Sequence, residues 1–142
     1  MNILISACLL GVCCRYDGNG KQIDNFEELS KKYHLIPVCP EQLGGLSTPR
    51  LPAEIVGTRV IMKDGSDVTA AFTRGAIETL RLAKLYGCTT AILKERSPSC
   101  GNNIRYDGTF SGALTTGDGI TTALLKANNI TVYGETDIHK LL

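Results

Sequence analysis

A chain of 142 residues, 43% of them hydrophobic and 20% charged, is long enough to bury one core and too short for two ordinary domains. Fifteen Lys and Arg oppose fourteen Asp and Glu, and this net charge of +1, without a basic or acidic block, leaves no electrostatic footprint for a nucleic-acid duplex or an anionic membrane. With no Trp, five Tyr and three Phe, no aromatic surface for single strands is expected either.

Residues Asn2 to Cys8 read as a buried strand that delivers Cys8 at its C-terminal end. Leu4-Ile5-Ser6-Ala7-Cys8 faintly resembles a lipobox, but no Lys or Arg precedes Arg15 and the apolar run is too short to cross a bilayer. A cytoplasmic location is therefore expected, where six cysteines more often bind metal or do chemistry than form structural disulfides. The glycine-rich loop from Gly11 to Gly20 has neither dinucleotide nor Walker spacing. Asp24 with Glu27 reads as a capping box opening a short helix with Phe26, Leu29 and Tyr33 on one face.

His34 to Cys39 reads as a second strand ending on a cysteine, followed by Pro40-Glu41 and a Gly- and Pro-punctuated loop to Pro52. Ile55-Val56 and Val60-Ile61-Met62 around Gly57-Thr58 read as a small hairpin. Ser66 to Tyr86 is the strongest helix, with Val68, Ala71, Phe72, Ile77, Leu80, Ala83 and Leu85 as its apolar stripe and Gly87 at its C-cap. Thr89 to Lys94 is a third strand, running into Glu95-Arg96-Ser97-Pro98-Ser99-Cys100-Gly101. There Pro98 keeps Ser97 out of helical dihedrals and Gly101 permits a close turn, so Cys100 is presented rather than packed. A polar stretch over 102–108, a helix around Ile120, Ala123, Leu124 and Ala127, and a strand from Ile130 to Tyr133 complete the chain. Strands alternating with helices predict one α/β domain over residues 1–142, Rossmann-like, with a mainly parallel four-stranded sheet flanked by helices and a small hairpin insertion.

In such sheets ligands bind outside the carboxyl ends of the strands, which is where three strands place Cys8, Cys39 and Cys100. The cysteines are dispersed, with no Cys-x-x-Cys, so the inference rests on topology rather than on a motif. Three thiolates can hold zinc with one open position, or a cubane iron–sulfur cluster by three of its irons. Glu41, two residues from Cys39, lies near this crevice, where a carboxylate can handle protons. Cys88 reads as a core residue, and the side chains of the adjacent Cys13 and Cys14 are expected to diverge, so that they do not both ligate one ion. Arg-Tyr-Asp-Gly occurs at 15–18 and again at 105–108, a hint that both loops line one site.

At Ser6-Ala7-Cys8-Leu9-Leu10-Gly11, Arg15-Tyr16-Asp17-Gly18, Val38-Cys39-Pro40-Glu41, Gly44-Gly45-Leu46, Pro49-Arg50 and Lys94 to Gly101, the chain resembles the TudS-like thiouracil desulfurase family over nearly its whole length. The resemblance implies a [4Fe-4S] cluster held by Cys8, Cys39 and Cys100, with a fourth iron open to the sulfur of a small thiolated base, and a non-redox exchange of that sulfur for water's oxygen. It implies Glu41 as the proton-transfer residue, Ser97 or Ser99 as a residue that positions or protonates substrate, and Arg15, Asp17, Arg50 and Asn102 as candidates for the edges of the heterocycle. A zinc or thiol-redox protein of the same fold, and a cluster carrier without catalysis, are the rival readings.

Overall fold

The computed structural model describes residues 1–142. In chain order its elements are β1 (Asn2–Ser6), α1 (Phe26–Lys32), β2 (His34–Val38), α2 (Pro40–Leu43), β3 (Ala53–Val56), β4 (Arg59–Met62), α3 (Thr69–Leu85), β5 (Thr90–Leu93), β6 (Ile104–Tyr106), β7 (Leu114–Thr116), α4 (Ile120–Ala127) and β8 (Thr131–Gly134). Short 3-10 helices cover Ala7–Leu10 and Glu135–Leu141. The four strands of the main sheet are parallel in the order β2-β1-β5-β8, and β3-β4 and β6-β7 are separate antiparallel hairpins. No helix is long and apolar enough to cross a membrane.

The strands of a parallel sheet are buried on both faces, which is why β1 reads as a run of aliphatics rather than an alternation. Ile3 and Ile5 pack with Ile92, Leu29 and Ile138 on one side, whereas Leu4 packs with Ala91, Leu93, Leu125 and Val132 on the other. Ile3, Leu4 and Ile5 are fully buried, and each contributes about 1.5–3 kcal/mol of transfer free energy to holding the sheet. Chain direction reverses its order of progress between β1 and β5, so the crevice outside their carboxyl ends is the switch point of the sheet.

Helix α3 starts three residues later than its apolar pattern predicts. Val68 N–H still pairs with Val60 O, and Asp67 Oδ1 accepts from both the N–H and the hydroxyl of Thr69, so the first turn is held outside the helix. At the other end Gly87 takes φ +64 and donates to Lys84 O while Cys88 N–H reaches Ala83 O, which is the double bond of a Schellman cap. The buried face of α3 is Phe72, Gly75, Ala76, Thr79 and Ala83; Ile77 and Leu85, assigned to the stripe from sequence, are exposed. Small residues let α2 press backbone to backbone on α3: a Cβ on Gly75 would collide with the Pro40 carbonyl oxygen, and one on Gly44 with that of Ala71. Three further expectations change. The Asp24 capping box does not form, since α1 is N-capped by Asn25 without a side-chain bond; β1 stops at Ser6; and the polar stretch after residue 102 enters the β6–β7 hairpin.

Candidate active site

Each of the three strand-end cysteines is set by the element that follows its strand. Cys8 sits in the 3-10 turn after β1, Cys39 is the N-cap of α2 after β2, and Cys100 lies in the loop after β5. All three line one cavity of about 600 Å³ outside the carboxyl ends of the sheet, together with Glu41, Arg50, Ser97 and Ser99. The Cys100 loop is folded on itself: Cys100 N–H donates to Ser97 Oγ at 2.7 Å and Gly101 N–H to Ser97 O at 3.0 Å. A Cβ at Gly101 would stand 2.7 Å from Ile104 O, so the backbone there admits only glycine without shifting. The Cys100 thiol is buried and receives hydroxyl contacts from Ser99 at 3.5 Å and Ser6 at 3.7 Å. Ser6 is tied in turn to β5, accepting from Lys94 N–H at 2.9 Å.

The two serines have different work. Ser99 Oγ donates to Glu41 Oε2 at 3.0 Å, whereas Ser97 accepts from the backbone of its own loop. Glu41, in the first turn of α2, has its second oxygen held by Arg50 Nε at 3.0 Å. The rest of the Arg50 guanidinium is also occupied, by Ser47 O, Thr48 Oγ1 and Cys14 O. Arg50 therefore ties the carboxylate to its own loop and to the Cys14 loop with four of its five N–H groups, which leaves one Nη2 hydrogen without a protein partner. Arg15 lines the cavity.

Two residues named from the sequence do not reach this place. Asp17 is exposed, and its carboxylate accepts from Asn19 N–H at 3.0 Å, which holds its own turn. Asn102 turns the other way and donates to Val132 O at 3.0 Å. The repeated Arg-Tyr-Asp-Gly does mark two loops of one site, because Arg15, Tyr16 and Tyr106 line the cavity while both aspartates cap their turns.

A fourth thiol is present that the strand-end argument does not find. Cys14 is buried and lines the cavity, its carbonyl accepts from the Cys39 thiol at 3.7 Å, and its own thiol lies near enough to those of Cys39 and Cys8 for both to shift its titration. The loop carrying it folds back through Val12 N–H to Ala7 O and Lys21 N–H to Cys8 O, while Cys13 is turned outward. Cys88 belongs to the core at the opposite, entering end of β5.

The family model described as 2-thiouracil desulfurase matches residues 3–137. The chain belongs to the 2-thiouracil desulfurase family. It is 41% identical over 150 aligned positions to the uncharacterized protein YbbK of Bacillus subtilis (strain 168), covering 99% of both chains. Among solved structures it superimposes on a [4Fe-4S]-dependent thiouracil desulfidase, TudS, with a TM-score of 0.94 and 45% identity, covering 99% of this chain and 94% of that one. The family's fold is thus the α/β architecture described above.

Three of the cavity thiols, Cys14, Cys39 and Cys100, are pushed above the ordinary thiol value. Burial pushes Cys100 up to about 11, against the hydroxyls of Ser99 and Ser6, which pull it down. For Cys14 the bond with Cys39 pulls down, but the bond with Cys8 and burial outweigh it and the result is about 11. Cys39 is raised by its bond with Cys14 and then by burial.

Proposed function

We propose that this chain hydrolytically removes sulfur from a small thiolated base of the thiouracil kind, using a [4Fe-4S] cluster held by Cys8, Cys39 and Cys100. The observation that carries the reading is the meeting of three thiols, from three neighbouring strands of one sheet, with the Glu41–Ser99 pair in one cavity. Membership of the family and the likeness to the [4Fe-4S]-dependent desulfidase support it. The donors fit the group, because thiolates are the ordinary ligands of iron–sulfur clusters.

When bound through three cysteines, the cluster supplies one iron free of protein ligands, a Lewis acid for the sulfur that leaves. The overall exchange turns a thiocarbonyl and water into a carbonyl and hydrogen sulfide, with no oxidant or reductant. Attack by water releases a proton, and Glu41 Oε2 is the base in the cavity placed to accept it. Arg50 holds Oε1, so that Oε2 is the oxygen presented. Ser99 Oγ donates to Oε2 and lies 3.5 Å from Cys100 Sγ, so its hydroxyl stands between the carboxylate and the thiol that would hold the cluster, where it can orient the carboxylate or exchange a proton with it. Arg15 is left to meet a polar edge of the ring.

Anaerobic reconstitution followed by iron, sulfide and turnover assays tests the reading. About four irons and four sulfides per chain, with conversion of 2-thiouracil to uracil and release of sulfide, are expected. A loaded protein that turns over no thiolated base is a carrier, and wild-type protein that takes up no iron has a different chemistry; either outcome overturns the proposal.

A further inference from the structure

The cavity is closed by more than the sheet. Its wall includes residues of both hairpins, among them Glu54 of β3 and Tyr106 and Phe110 of the β6–β7 hairpin, none of which the removal of sulfur explains. Phe110 has no polar atom beyond its backbone, so what its side chain can offer a cavity is an apolar aromatic ring. It nevertheless stands at φ +56, a left-handed conformation that bulky residues seldom take and that persists only when the surroundings enforce it.

Those surroundings are visible. Glu54 is 8% exposed, and its Oε1 accepts from both Gly108 N–H at 3.0 Å and Phe110 N–H at 3.2 Å. Gly108, at φ +93, lies so close to β3 that a Cβ would sit 2.7 Å from Ile55 O. Between them Asp107 Oδ1 accepts from the N–H and the hydroxyl of Thr109, which braces the turn from within. A carboxylate, a backbone contact and a braced turn thus hold one aromatic side chain at the cavity in a backbone conformation it would not choose.

We infer that Phe110 stacks on the ring of the thiolated base and sets affinity for it, and that Glu54 is the positioning residue that presents Phe110. The inference rests on the desulfurase reading for the identity of the ring, and stacking is the interaction a phenyl face offers a heterocycle. The test compares wild type, Phe110→Leu, Phe110→Tyr, Glu54→Ala and the Glu54→Ala/Phe110→Leu double variant, all reconstituted. The quantities are KM and kcat for 2-thiouracil, the Kd of uracil by calorimetry, and iron per chain.

Phe110→Leu raises both KM and the uracil Kd on the order of tenfold, with a smaller fall in kcat, while Phe110→Tyr, which keeps the aromatic face, restores both. Glu54→Ala moves both constants the same way, and the double variant is no worse than Phe110→Leu because Glu54 acts through Phe110. The inference is overturned if Phe110→Leu leaves KM and Kd within about twofold of wild type, well below the loss that one stack carries. It is overturned equally if iron content falls in step with affinity, which makes the residue structural, or if wild type binds no uracil. A wild type that binds uracil yet releases no sulfide from thiouracil sinks the desulfurase reading alone, since the uracil affinities of the variants still judge Phe110.

Discussion

Replacing Arg50 by Met removes a guanidinium whose side chain is 4% exposed and leaves the Glu41 carboxylate, 16% exposed, without its ion partner. Breaking a buried pair from one side costs about 3–5 kcal/mol, because the remaining charge loses its compensation. Glu41 faces a cavity that water can enter, which places the loss near the lower figure, about 3 kcal/mol. Ser47 O, Thr48 Oγ1 and Cys14 O lose a donor as well, so the loops carrying them loosen together. For a chain of 142 residues, each kcal/mol moves the midpoint by about 2–4 °C, so the melting temperature should fall by about 6–12 °C. Thermal unfolding of the cluster-free protein, followed by circular dichroism or calorimetry, measures this for Arg50→Met, Glu41→Gln and the double variant. The double variant should be more stable than the sum of the singles implies, with a coupling above about 1 kcal/mol, because no lone carboxylate is left. A fall of less than about 1 kcal/mol in Arg50→Met, or strict additivity in the cycle, would refute the argument that this pair is what stabilises the site.

Iron analysis after reconstitution should show Cys8→Ala, Cys39→Ala and Cys100→Ala without a cluster, while Cys13→Ala, Cys14→Ser and Cys88→Ala keep it; loss in Cys14→Ser would move the ligand set. Glu41→Gln should retain its iron and lose roughly 10²–10⁴ in kcat, the range for a general base, and a loss below tenfold would remove Glu41 from proton transfer. Burial raises the Cys88 thiol above its ordinary value of 9.0, so the folded state holds that proton more tightly than the unfolded one. The stability this contributes is present below pH 9.0 and is lost as pH rises through the raised value. Peptide mapping with iodoacetamide at about pH 8, just below the ordinary thiol value, should accordingly find exposed Cys13 modified well before buried Cys88 in cluster-free protein. Gly75→Ala should cost about 1–3 kcal/mol in a thermal melt, the range for overpacking, and should lower iron uptake.

The sheet and its cysteines are legible because a buried parallel strand has a strong signature: Ile3-Leu4-Ile5 and Ala91-Ile92-Leu93 are aliphatic throughout, and each run stops shortly before a cysteine. The β6–β7 hairpin has no such signature. Its strands are three residues each, Leu114–Thr116 is exposed along its length, and its closure depends on Asn103 N–H meeting Asp118 Oδ1 across the chain. The phase of α3 is misread for a related reason, since a count of large apolar residues selects Ile77 and Leu85 and passes over Gly75 and Thr79, which make the buried contact. Cys14 escapes because its approach to Cys8 and Cys39 is made by a loop folding back, which no spacing records. Asp17 and Asn102 mislead in the opposite direction: they flank site residues in sequence, yet the Asp17 carboxylate caps its own turn and the Asn102 amide donates to Val132 O of β8.

The contact between α2 and α3 has a mechanical consequence. Where two helices touch through side chains, rotamers take up small displacements; between Gly44 and Gly75 only main chain meets main chain, so nothing cushions the joint. A tilt or slide of the long helix is transmitted undiminished to Pro40, and with it to the residues on either side, Cys39 and Glu41. The outer surface of α3 leaves Ile77 and Leu85 in solvent, whereas its inner face acts as a rigid lever on the cavity although it contributes no group to it.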